Sequence, residues 1–116
     1  MAIELWDFRR DVGQERADLR GMSVKALDGR VGKVEEVVQD PGASFVVVDT
    51  GPWILGKKVL LPAGLVSGID VDDELVEVER YKDEIKSAPE FDEERHGDPA
   101  YRDALTRHYG AAQPKA

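Results

Sequence analysis

The chain has 116 residues and a formal net charge of −8, from 24 acidic and 16 basic side chains. That length holds one domain with a modest core, and the acidic balance repels nucleic-acid phosphates and anionic lipid heads. The absence of cysteine excludes a disulfide framework, a thiolate nucleophile and a cysteine-based metal site.

The N-terminus, Ile3 to Phe8, carries Ile3, Leu5, Trp6 and Phe8 around Glu4 and Asp7. It lacks the apolar core of a secretory signal, and nowhere does an apolar run approach the roughly 20 residues that span a bilayer. A cytoplasmic protein with no integral membrane segment is the expectation. We read residues 1–18 as an apolar arm followed by a polar linker.

From Met22 the pattern becomes that of strands. The segment "MSVKALDGRVGKVEEVVQD" reads as strand, turn, strand, because Asp28-Gly29 accepts the positive φ of a tight hairpin. The second of these strands is ambiguous: Val31, Val34, Val37 and Val38 also fit helical spacing. Gly32 and the density of valine favour the strand, since valine suits a pleated surface. "SFVVVDT" has three valines in a row with no polar alternation in its middle and predicts a strand covered on both faces. "KKVLLPAG" is another strand, ended by Pro62. "LVSGIDVDDELVEVER" predicts a hairpin with residues 71–74 at its tip, Val76 and Val78 inward, Glu77 and Glu79 outward.

Six short strands at this spacing predict an all-β fold, a small barrel or sandwich, with closure of the sheet removing exposed edges. "KDEIKSAP" predicts a short helix with Asp83 and Glu84 in its first turn. A charged linker leads to a C-terminal helix, with Asp98 as N-cap, Pro99 at the first helical position and Gly110 as C-cap. Tyr101, Leu105, His108 and Tyr109 share one face of it, which needs a partner surface. Residues 92–116 thus form a linker, this helix and a frayed tail.

Between the strands ending at Thr50 and beginning at Lys57 lies "GPWILG". Gly and Pro suit a connection, but Trp53, Ile54 and Leu55 are costly there unless something covers them. Valines and leucines already suffice to fill a small barrel. Trp53, Ile54 and Leu55, with Trp6 and Phe8, are therefore the candidate partner-binding residues. Burying a large apolar side chain contributes about 1.5–3 kcal/mol, and such aromatic anchors are enriched at interfaces. Two arrangements satisfy the pattern: the arm folds over the loop of its own chain, or both meet a second copy or another protein.

The run "DLRGMSVKALDGRVGKVEEVV", then "FVVVDTG", "VLLPAGLV" and "VEVERYKDEIKSAPEF" resembles the PRC-barrel family over Leu19 to Phe91, which sets the domain at 19–91. The tail "YRDALTRHYG" is similar to the ending of stand-alone bacterial members. The resemblance implies a six-stranded PRC-like barrel. The same barrel occurs in the photosynthetic reaction centre H subunit and at the C-terminus of a ribosome-maturation factor, where it docks partners without catalytic residues of its own. The present chain shows neither the transmembrane helix of the first nor the companion N-terminal domain of the second. The implied role is a non-enzymatic docking or self-association module, with an accessory factor of a membrane photosynthetic, electron-transport or RNA-processing assembly as the alternative.

The remaining motifs add no chemistry. "GLVSG", residues 64–68, misses the spacing of the G-x-S-x-G elbow, so Ser67 reads as an ordinary strand or turn serine. His96 and His108 lack a partner nucleophile and stand too far apart for a metal motif. "DVDDE", Asp70 to Glu74, is acidic but has Leu75 and Tyr81 where an EF-hand needs Gly and Glu; weak surface Ca²⁺ binding is left open. "GRVGKV" lacks phosphate-loop spacing. Arg9-Arg10 and Lys57-Lys58 are short basic pairs that read as solvated faces. No catalytic residue, metal site, cofactor, nucleic-acid partner or small-molecule substrate is predicted.

Overall fold

A computed structural model describes residues 5–8, 18–40, 42–51, 58–89, 91 and 98–111. Six strands form one mixed sheet: β1 (Ser23–Ala26), β2 (Gly29–Val38), β3 (Phe45–Asp49), β4 (Lys58–Pro62), β5 (Val66–Asp70) and β6 (Leu75–Val78). Their order is β4-β3-β2-β1-β6-β5. Neighbours pair antiparallel except β1 and β6, which run parallel.

The helix-like valine spacing of β2 has a backbone cause. The register leaves Val31 unopposed on the β1 side and Glu35 unopposed on the β3 side. Each is a β-bulge, which adds one residue and shifts which face the next side chain occupies. Val31 and Val34 are both buried although an odd spacing separates them. Strand β3 is buried from Phe45 to Val48, as its unbroken valine run predicts.

The expected closure of the sheet does not occur among the described residues. Strands β4 and β5 are opposite ends of the strand order and do not pair. A 3-10 turn, Ala63–Leu65, follows Pro62 directly and carries the chain from one edge to the other. Its backbone is tied off elsewhere: Ala63 N–H donates to Ser44 O (3.0 Å), Gly64 N–H to Leu5 O (2.7 Å), and Leu65 O accepts from Glu79 N–H (2.8 Å). Edge strand β4 is protected by burial of Val59 to Pro62, which does the work that closure was expected to do.

Helix α1 (Lys82–Lys86) and helix α2 (Pro99–Ala111) complete the described elements. Backbone N–H of Tyr81 donates to Glu84 Oε1 (3.1 Å) and that of Lys82 to Asp28 Oδ1 (2.8 Å), which caps α1 against the β1–β2 turn. In α2, Asp98 Oδ1 accepts from Ala100 N–H (2.9 Å), the N-cap expected from sequence. Gly110 is not the C-cap: the helix continues through it to Ala111. A guanidinium takes that part instead, since Arg80 Nη2 donates to Tyr109 O (2.9 Å), and an arginine can satisfy a helix-end carbonyl without a left-handed glycine. Tyr101, Leu105 and Tyr109 are buried in the same core as the strand valines.

Candidate functional site

Alternation along β1 and β2 sends Val24, Ala26, Val31 and Val34 into the core and leaves Lys25, Arg30 and Lys33 exposed on the outer face. The ladder sets Lys25 opposite Arg30, Ser23 opposite Lys33, and Lys33 opposite Asp49. Like charges directly opposite each other cost stability, by a few tenths of a kcal/mol to about 1. Arg30 Nη1 donates to Ser23 Oγ (3.1 Å), which turns the guanidinium along the sheet. Among the described residues, Lys25, Arg30 and Lys33 form no ion pair. Lys58, by contrast, binds Glu35 at 2.8 Å.

Arg30 and Lys33, but not Lys25, line a groove of about 330 Å³ together with Ser23, Gly32, Asp49, Thr50 and Gly51. Gly32 makes its floor possible. A Cβ there would lie 2.0 Å from Asp49 O and 2.9 Å from Thr50 Cα, so β3 leaves the sheet across a position where only glycine fits. Gly51 follows with φ +58°, and its N–H is held by Asp49 Oδ1 (2.9 Å). Backbone, methylene stems and two cationic heads, with Asp49 held to Gly51 N–H at one side, give a surface of net positive charge that suits a small apolar group flanked by carboxylates.

A second hollow, about 360 Å³, is lined by Asp18, Leu19, Arg20, Glu36, Val37 and Gln39. Its cation is already used. Arg20 binds Asp18 at 3.1 Å, and that hydrogen bond holds the Asp18 carboxyl below the usual carboxylate range.

The model of the PRC-barrel domain matches residues 13–85. The chain belongs to the PRC-barrel family. Its fold is similar to the crystal structure of a protein assigned to 16S ribosomal RNA processing, RimM from Pseudomonas aeruginosa. The TM-score is 0.50 at 20% identity, over 65% of this chain and 49% of that one. The chain therefore spans about half the length of that protein. No curated protein matches it.

On this PRC barrel the residues singled out from sequence are widely placed. Trp53, Ile54 and Leu55 lie outside the described residues, as does His96. Trp6 and Phe8 are half-buried and pack against the core of their own chain. Trp6 Nε1 donates to Thr106 Oγ1 (2.9 Å), the Arg102 guanidinium lies 4.1 Å from its ring centre, and Trp6 O accepts from Ser44 N–H (2.8 Å). Asp7 Oδ1 accepts from Gly42 N–H (2.6 Å). The described part of the arm is thus a strap between β3 and α2. Ser67 donates to Glu77 O (3.4 Å) from within β5. His108 Nε2 lies 2.6 Å from Glu84 O; a carbonyl only accepts, so that nitrogen carries the proton. Among the described residues no group of three or more His, Cys, Asp or Glu side chains is placed to hold a metal ion, and no helix is long and apolar enough to cross a membrane.

Sequence reading missed the groove. Lys25, Arg30 and Lys33 are never adjacent in the chain, and only the bulged hairpin register brings them together. The available signal was Gly32, which marks a close backbone approach inside a strand.

Proposed function

We propose that the chain is a non-enzymatic interaction module, a PRC barrel that docks on a protein partner or on a second copy of itself. The observation that carries this reading is the outer face of the β1–β2 hairpin: Lys25, Arg30 and Lys33 form no ion pair among the described residues, and Arg30 and Lys33 line a groove there, in a chain of net charge −8. The Lys25–Arg30 pairing carries a cost that Glu77 beside Lys25 and Asp49 beside Lys33 offset in part, and binding a complementary surface would relieve the rest.

An RNA-processing accessory role is the second reading. The fold likeness to RimM and the Lys25, Arg30 and Lys33 cluster favour it; the net charge opposes it. Two measurements separate these readings. Light scattering on a sizing column reports self-association, with Trp53→Asp run beside the wild type. Fluorescence anisotropy with a labelled RNA hairpin at moderate salt reports nucleic-acid binding. We expect a mass above that of one chain and no RNA signal. Micromolar RNA binding that weakens steeply with salt, and is lost in Arg30→Glu, would replace the first reading with the second.

A further inference from the structure

The β5–β6 turn projects the most concentrated negative charge of the described chain. Val71, Asp72, Asp73 and Glu74 are all exposed, and Val71, at 55% exposure, is the most exposed large apolar side chain among the described residues. The turn is well fixed. Asp70 Oδ1 accepts from Asp73 N–H (3.0 Å), Val71 O accepts from Glu74 N–H (3.3 Å), and Glu74 takes a positive φ of 51°. Asp70 is spent on the turn itself, which leaves Asp72, Asp73 and Glu74 facing outward around Val71.

This tip borders the cationic groove. Ser23, which lines the groove, donates its backbone N–H to Glu74 O (3.0 Å), and Ser23 sits beside Leu75 in the parallel β1–β6 ladder. A carboxylate-rich tip with one apolar residue therefore stands next to a groove that holds two cationic heads, one carboxylate (Asp49, whose Oδ1 accepts from Gly51 N–H) and a backbone floor at Gly32. Yet within one chain the two do not pair: among the described residues Asp72, Asp73 and Glu74 make no ion pair, and neither do Arg30 and Lys33. Two complementary patches side by side on one surface are what a two-fold interface needs. An axis passing between them sets each tip against the groove of the other copy, and the contact is made twice.

We propose that the chain forms a reciprocal dimer in which the Val71–Glu74 tip of each copy enters the Arg30/Lys33 groove of the other. Val71 occupies the groove between the alkyl stems, and Asp72 and Asp73 meet Arg30 and Lys33. This rests on the reading of the chain as a self-associating module and specifies its surface. Because the contact is charged and small, it is sensitive to ionic strength.

Light scattering with two charge-reversed variants tests it. One is Arg30→Glu with Lys33→Glu; the other is Asp72→Lys with Asp73→Lys. All four positions are exposed, so circular dichroism should show both variants folded. Wild type is expected at twice the chain mass of 12.9 kDa at low salt and at the monomer mass in about 0.5 M salt. Each variant alone should dimerise at least about tenfold more weakly. Mixed in equal amounts, they should regain the dimer mass, because both contacts are then between opposite charges. A monomeric wild type overturns the proposal, as does a dimer that both variants retain or a mixture that stays monomeric. Mass that climbs beyond the dimer with concentration overturns the reciprocal geometry. A dimer unaffected by these reversals but lost in Trp53→Asp would leave the self-association reading standing and remove only this interface.

Discussion

Tyr109 offers a direct test of how the helix is held against the barrel. Its side chain has no solvent exposure, and its hydroxyl has no hydrogen-bond partner among the described residues. Burial pushes the phenol above its ordinary value, with Tyr101 and Glu84 adding to the effect and Arg80 opposing it. A buried hydroxyl without a partner forfeits about 1–3 kcal/mol of lost hydration. Tyr109→Phe removes that group and leaves the ring in place. The small void it creates offsets part of the gain, so the expected result is about 1 kcal/mol of added stability at neutral pH, or about 4 °C in melting temperature. The sign of the pH dependence follows from the raised folded value. The folded phenol keeps its proton where the unfolded one loses it, so stability is intact below about pH 10 and falls as pH rises beyond that, by up to about 1.4 kcal/mol per unit. Tyr109→Phe should flatten that alkaline limb by one proton. Urea titrations of both proteins between neutral pH and about pH 11 measure both effects. A loss of stability at neutral pH in Tyr109→Phe would show that the hydroxyl is bonded in solution and would refute the argument.

Three further substitutions probe separate parts of the fold. Gly32→Ala places a methyl group 2.0 Å from Asp49 O; we expect a loss of about 3 kcal/mol by thermal melting, and a melting point within about 2 °C of wild type would show that β3 can move aside. Glu74→Gly relieves a left-handed residue at the β5–β6 turn; strain of about 1–2 kcal/mol set against the entropy of a new glycine gives a net gain of about 0.5 kcal/mol in denaturant midpoint, and any loss contradicts it. Arg80→Met strips the donor from Tyr109 O and the cation beside Glu84; it should cost about 3 kcal/mol and speed amide exchange over residues 105–111, whereas unchanged exchange there would mean that Arg80 does not hold the helix end.

The fold was legible where burial dictates residue type. The uninterrupted Phe45–Val48 run can only be a strand covered on both faces, and the Glu77 and Glu79 alternation can only be a half-exposed one. Asp98 and Pro99 announced the start of α2 because capping chemistry is local. Its end was misread because the group that satisfies Tyr109 O lies in Arg80, 29 positions away, and no local pattern encodes so distant a partner. Closure of the sheet was misread for a related reason. Six strands of the right spacing fit a closed or an open sheet equally, and the difference rests on where Ala63, Gly64 and Leu65 find their hydrogen bonds.

The candidate site was illegible for a deeper cause than distance. In composition the chain is acidic throughout, and scanning for adjacent basic residues finds only Arg9-Arg10 and Lys57-Lys58. The cationic face arises from an accident of register that the sequence hides. The unopposed Val31 moves Arg30 into line with Lys25, and the same bulge keeps Lys33 on the outer face beside Ser23. Without that extra residue, period-two alternation from Lys33 would have put Val31 outward and Arg30 toward the core. The ladder offsets part of this gathered charge, because Lys25 also lies beside Glu77 and Lys33 beside Asp49. On the docking we propose, carboxylates of the second copy would lie against Arg30 and Lys33, so the register that gathers these cations would serve binding as well as folding.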